Sequence, residues 1–286
     1  MATSSEASVW LNTALQEQIA EQKQCFTDRL QERLRSRRAK LQKLKEDAAH
    51  FPKTRNRPLT TVEVQQLRGR LGHPATPADL HKWQLIYVSE DLPLALPSQA
   101  QAFALMLSDP TGIAQVWPAA YVLLSNLGPE LARSSCSQAL RICELGCGIP
   151  YLSLSLARQH RNTELVVTDG EPFLLDVARV NAEYHDVSAR VTCKRLRWES
   201  EEDAARVHEI AGPCGFDHLL CADGLYGDVS ASDALFECCL RLKSDQTVIW
   251  ICYQERPLHQ EAIQNFVKRA NASLQVSKVQ VESGAG

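Results

Sequence analysis

From residue 139 onward, apolar strand-like runs alternate with helix-like segments, and this alternation constrains the fold more than any other feature. Ala139–Leu145, Glu164–Thr168, Arg190–Leu196, Phe216–Ala222 and Thr247–Tyr253 read as strands. Leu152–Arg158, Phe173–Tyr184, Ser232–Leu242 and Leu258–Asn271 carry the three-to-four spacing of helices. Strands joined in this way specify a parallel sheet covered on both faces, a doubly wound α/β layer. Leu274–Val281 alternates as a final strand.

The residues upstream divide into two parts. Leu11, Leu15, Ile19, Phe26, Leu30, Leu34, Leu41 and Leu44 recur without an intervening Gly or Pro, so residues 1–52 read as one amphipathic helix that stops at Phe51-Pro52. Between Arg29 and Lys45 it carries eight basic residues and one acid. Such a helix packs against the body of the protein or a partner, or docks on an acidic partner, a membrane surface or a phosphate backbone. Residues 53–80 read as a linker with a short helix, Thr60–Leu71, closed by Gly72. The sheet domain then spans 81–286: Trp83–Val88 and Leu92–Leu96 read as a hairpin, and Pro97–Leu107 as a helix.

Composition removes several classes of function. The longest apolar stretches, Thr247–Tyr253 and Ala100–Leu107, fall well short of the ~20 residues of a membrane span. A net charge of −3 does not suggest a nucleic-acid coat. None of the ten cysteines forms a C-x-x-C pair, so no metal site is expected, and most lie in apolar runs where a thiol acts as a small hydrophobe. Met1–Trp10 lacks a secretory pattern, and free thiols then point to a reducing compartment such as the cytoplasm. Glu6, Glu17 and Glu21 argue against a mitochondrial presequence.

The chemistry-bearing residues fall at the ends of the strands. Glu144-Leu145-Gly146-Cys147-Gly148 follows the first strand, where glycines let a ligand approach the backbone. The next strand ends in Asp169, an acid suited to a ribose diol. Tyr151 occupies the third glycine position of a dinucleotide fingerprint, so a diphosphate fits poorly. A turn that carries Glu144 suits a phosphate-free, cationic nucleoside, S-adenosylmethionine. The fourth strand ends Cys221-Ala222-Asp223-Gly224-Leu225-Tyr226. There Asp223 could orient an acceptor amine and Tyr226 could wall it off; the lesser alternative is that Asp223 caps the next turn and Tyr226 is core. Trp117 and Trp198 could flank an adenine or be ordinary core.

Taken together, Trp117, E-L-G-x-G, Asp169, the L-x-W of 196–198 and D-x-x-Y resemble the seven-β-strand protein-lysine methyltransferase family. Within that family the chain is most similar to the calmodulin-lysine N-methyltransferases. Asp109-Pro110-Thr111-Gly112, Val116-Trp117-Pro118, Thr168-Asp169-Gly170 and Cys221-Ala222-Asp223 extend the likeness over roughly residues 83–282. It implies a Rossmann-like class I sheet, here without its seventh strand. It also implies S-adenosylmethionine as methyl donor and a lysine-presenting protein acceptor, acidic overall and calmodulin-like. Trp117, Glu144, Gly146, Cys147, Gly148, Asp169, Trp198 and Ala222 would bind the cofactor, with Asp223 and Tyr226 at the reacting amine. The alternative is a methyltransferase-like component of a larger assembly, tethered by the N-terminal helix and with little activity. A nucleic-acid or small-molecule methyltransferase is a third reading.

Overall fold

Five parallel strands form the main sheet, and their register puts the candidate site residues along one edge. The computed structural model describes residues 57–72, 77, 80–87, 92–97, 116–133 and 139–278. The strands are β4 (Leu140–Leu145), β5 (Thr163–Asp169), β6 (Val191–Arg195), β7 (His218–Ala222) and β8 (Val248–Cys252), in the order β6-β5-β4-β7-β8. Each begins and ends within two residues of its position in the sequence reading. The chain turns back at β4, sending β5 and β6 to one side and β7 and β8 to the other. In doubly wound sheets such a reversal marks the place, at the carboxyl ends of the strands, where ligands bind.

Alternation along the strands builds two cores. Ile142, Leu165, Val167 and Leu220 face one core. It is closed by α2 (Pro118–Arg133), α3 (Tyr151–Gln159) and α4 (Pro172–Tyr184). Cys143, Leu145, Val166, Leu219 and Cys221 face the other. That face is closed by α5 (Glu201–Ala211), α6 (Val229–Leu242) and α7 (Gln260–Ser273). Cys143, Cys147, Cys221, Cys238 and Cys239 are buried free thiols, packed as the small hydrophobes the sequence suggests.

Upstream lie β1 (Arg57–Pro58), α1 (Thr61–Leu71), β2 (Gln84–Tyr87) and β3 (Pro93–Leu96), the three strands forming an antiparallel sheet. The expected hairpin is present, with Leu85 opposite Ala95. A capping box starts α1: the Thr60 hydroxyl accepts from the Glu63 N–H while Glu63 accepts from the Thr60 N–H. Asn181 of α4 fastens this small sheet to the main one. Its side chain accepts from the Ala95 N–H at 2.7 Å and donates to the Ala95 carbonyl at 2.8 Å, much as a further strand would. Both residues are fully buried. Asn181→Leu therefore leaves a buried donor and acceptor of β3 unpaired, and urea unfolding should show a loss of about 2–4 kcal/mol. A loss below about 0.5 kcal/mol would mean that Ala95 has another partner.

Three sequence readings change or fall outside this description. Leu274–Val281 is not a strand over its described part: α7 ends at Ser273, and residues 274–278 form no regular element. Leu274 instead caps α7, its N–H donating to the Ala270 carbonyl at 2.8 Å, and its side chain packs on the second core. The helix over 1–52 and most of Pro97–Leu107 lie outside the described residues. No helix among the described residues is long and apolar enough to cross a membrane.

Candidate active site

The end of β4 supplies the first wall. Gly146 and Gly148 have φ of 71° and 51°, in the left-handed region that favours glycine. A Cβ on Gly146 would stand 3.1 Å from the Trp198 ring, so the turn and the L-x-W segment pack directly together. A Cβ on Gly148 would meet nothing within 4 Å, which leaves open space beside the backbone there. The Gly148 N–H donates to Asp169 Oδ2 at 2.9 Å, and the Glu171 N–H donates to Oδ1 at 2.9 Å. Asp169, at the tip of β5, thus ties the glycine turn to its own strand. Cys147 lies beneath this clasp, buried, with its N–H donating to the Thr168 carbonyl at 2.8 Å.

Glu144 is enclosed. Its carboxyl is 2% exposed and accepts a hydrogen bond from the Ser153 hydroxyl in the first turn of α3. Burial pushes the carboxyl up to about 7; Ser153 opposes the rise and the nearby Asp169 charge adds to it. A folded-state value raised above that of the unfolded chain makes stability fall as pH rises from about 4.5 through about 7. Glu144→Gln has no such proton to lose. The wild type should lose on the order of 2–4 kcal/mol relative to this variant between pH 5 and pH 8, read from denaturant midpoints. Parallel pH profiles for the two proteins would contradict this.

β7 and the segment after β8 supply the second wall. Asp223 has φ of 62°, an uncommon conformation for a residue with a side chain. It is 8% exposed, and its N–H donates to the Cys252 carbonyl at 2.7 Å. Its carboxylate caps no helix. Oδ1 accepts from the Gln254 N–H at 3.3 Å, and Oδ2 pairs with the Arg256 guanidinium. The cap of α6 is Asp228, whose side chain accepts from the Ala231 N–H at 3.0 Å. Gly224 is sterically required, because a Cβ there would stand 2.2 Å from Cys221 Sγ. Ala222, half-buried, lies opposite Cys252 in the register.

Aromatic side chains join the two walls. The Trp198 and Tyr226 rings are 6.1 Å apart and tilted by 54°. Arg256 lies 4.8 Å from the centroid of the Trp117 ring, just ahead of α2. Trp117 and Trp198 are half-buried and Tyr226 is 36% exposed, so none of the three is enclosed core. All ten predicted site residues therefore occupy the carboxyl edge of the sheet or its flanking loops. Arg256, Gln254 and His259 were not among them. A basic residue in Tyr253-Gln254-Glu255-Arg256-Pro257, just past the strand beside the one ending in Asp223, was the available signal. Among the described residues, no group of three or more His, Cys, Asp or Glu side chains could hold a metal ion.

The family model for lysine methyltransferases matches residues 104–273, more than half of the chain. The chain belongs to the lysine methyltransferase family. No curated protein matches the sequence. Several solved structures are similar to it. An O-methyltransferase from Bacillus cereus, solved in complex with S-adenosylhomocysteine, is 20% identical over 61% of this chain and 78% of its own, with a TM-score of 0.42. The human methyltransferase 10 domain containing protein is 12% identical over 60% of this chain and 83% of its own, at 0.41. A methyltransferase from Geobacter sulfurreducens is 18% identical over 53% and 54%, at 0.35. These likenesses are weak, and the membership of the lysine methyltransferase family rests on the family model.

Proposed function

We propose that this lysine methyltransferase family member binds S-adenosylmethionine in the crevice between β4, β5 and β7 and methylates a lysine of a protein acceptor. The observation that carries the reading is Asp223. It is a nearly buried carboxylate in a strained backbone conformation at a strand tip, beside Tyr226 and on the same edge as the Gly148–Asp169 clasp. The residues present fit the cofactor. Gly148 opens on free space, Asp169 sets a carboxylate at the tip of β5 beside the glycine turn, and Trp117 and Trp198 offer aromatic faces.

When bound, S-adenosylmethionine supplies an electrophilic methyl group on sulfur. Asp169 and the 146–148 turn hold the nucleoside, with Cys147 and Ala222 at the floor of the crevice. Asp223 orients the acceptor amine by accepting a hydrogen bond, and Tyr226 screens it from water. The decisive experiment incubates the protein with radiolabelled S-adenosylmethionine and a lysate from cells lacking it. A labelled protein band, mapped to lysine and lost with Asp223→Asn, supports the reading. Label in nucleic acid or small molecules alone overturns it.

The acceptor we propose is acidic overall, calmodulin-like, and recruited by the basic residues between Arg29 and Lys45. Between Glu199 and Glu237 the sequence carries ten acids and one basic residue, Arg206, but much of that charge is paired in the fold. Asp203 pairs with Arg197 at 2.7 Å and Glu201 with Arg241 at 3.1 Å. Glu202 pairs with Arg206, Asp223 with Arg256, and Asp233 and Glu237 both with Arg269. Recruitment then falls mainly to the basic segment. Deleting residues 1–52 should weaken calmodulin binding and remove its salt dependence between ~50 and ~300 mM, with S-adenosylhomocysteine affinity intact. Unchanged calmodulin affinity and salt dependence would exclude that role for the segment.

A further inference from the structure

A carboxylate beside a reacting amine poses an electrostatic problem. Methyl transfer uses the nitrogen lone pair, so a lysine with a free pKa of ~10.4 must lose its proton first. An unopposed carboxylate favours the ammonium form and works against that loss. The carboxylate at this strand tip is opposed. Arg256 pairs with Asp223 Oδ2 while the Gln254 N–H holds Oδ1. The same guanidinium lies 4.8 Å from the Trp117 ring centroid. A planar guanidinium can pair through its edge and stack through its face, which an ammonium cannot do. Its backbone is anchored as well. Pro257–His259 form a short turn, and His259 Nδ1 accepts from the Gly227 N–H at 3.2 Å, just beyond Tyr226.

We propose that Arg256 is a positioning residue for methyl transfer. By pairing with Asp223 and stacking on Trp117, it makes the strand tip a charge-balanced hydrogen-bond acceptor, one that orients the acceptor amine without stabilising its ammonium form. The proposal rests on the reading of the site as a donor crevice with Asp223 at the reacting end. Lysine in place of Arg256 would keep the charge and lose the stack, and glutamine would lose both.

The test needs no acceptor. Sinefungin, in which a carbon bearing a primary amine replaces the sulfonium, places an ammonium where the methyl would lie; S-adenosylhomocysteine places none. Calorimetry on the full chain reads the ratio of their affinities. In Arg256→Gln the uncompensated carboxylate should shift this ratio toward sinefungin by ~10-fold or more. In Asp223→Asn the uncompensated guanidinium should shift it the other way by a similar factor. The double variant should return close to the wild-type ratio, and Arg256→Lys should lie nearer to wild type than Arg256→Gln does. The opposite signs keep the test decisive even if one variant fails to fold. Ratios that stay within about twofold of wild type overturn the proposal, including the case where both affinities fall together as a purely structural role would require. A wild type that binds neither ligand overturns the donor-crevice reading itself, and the proposal with it.

Discussion

Asp223→Asn is expected to lower lysine methylation by about 10²-fold or more, with affinity for the neutral product S-adenosylhomocysteine unchanged. Asparagine is the informative substitution. It tolerates the left-handed backbone conformation at φ of 62° and can still accept from the Gln254 N–H. What it removes is the charge that pairs with Arg256 and the stronger hydrogen bond that a carboxylate offers an amine. Alanine would add backbone strain to the chemical loss. Single-turnover rates with saturating donor isolate the step, and an unchanged rate in the asparagine variant would remove Asp223 from the chemistry.

Asp169→Ala should weaken S-adenosylmethionine binding by well over tenfold, since about 2–4 kcal/mol of charge-strengthened hydrogen bonding is lost. Two effects act in the same direction. The ribose loses its acceptor, and the Gly148 and Glu171 N–H groups lose theirs, each now bonded at 2.9 Å. Asp169→Asn separates them: its one carbonyl oxygen can hold one of those N–H groups, so the turn is partly retained while the charge is lost. Binding by the asparagine variant should therefore fall between wild type and alanine. Wild-type affinity in Asp169→Ala would show that the ribose sits elsewhere.

The sheet was legible because its central strands β4, β5 and β7 carry apolar runs on both faces, bounded by polar turns, and β6 and β8 follow at the spacing of the same alternation. The glycine turn and Asp169 were legible because they stand directly at strand ends. The helix α5 was not, because its buried face holds the small residues Ala204, Val207 and Ala211 among acids, which leaves a faint apolar stripe. Nor was α2, where Gly128-Pro129 interrupts the helical pattern while the buried Leu123, Leu127 and Leu131 carry the helix through it. The ten acids between Glu199 and Glu237 overstate the local negative charge for a different reason. Charge along the chain says nothing of arginines such as Arg256 and Arg269, which reach Asp223, Asp233 and Glu237 across more than thirty residues. Arg256 itself has meaning only through two contacts made by folding, one to Asp223 and one to Trp117.

The central claim is that the carboxyl edge of this sheet holds a methyl-donor nucleoside. The most direct measurement is isothermal titration of the full-length protein with S-adenosylhomocysteine, beside Asp169→Ala. The site described here predicts one saturable site per chain in the wild type and affinity at least tenfold lower in the variant. No heat of binding at ~1 mM ligand, equivalent to less than about 4 kcal/mol of binding free energy, would contradict it.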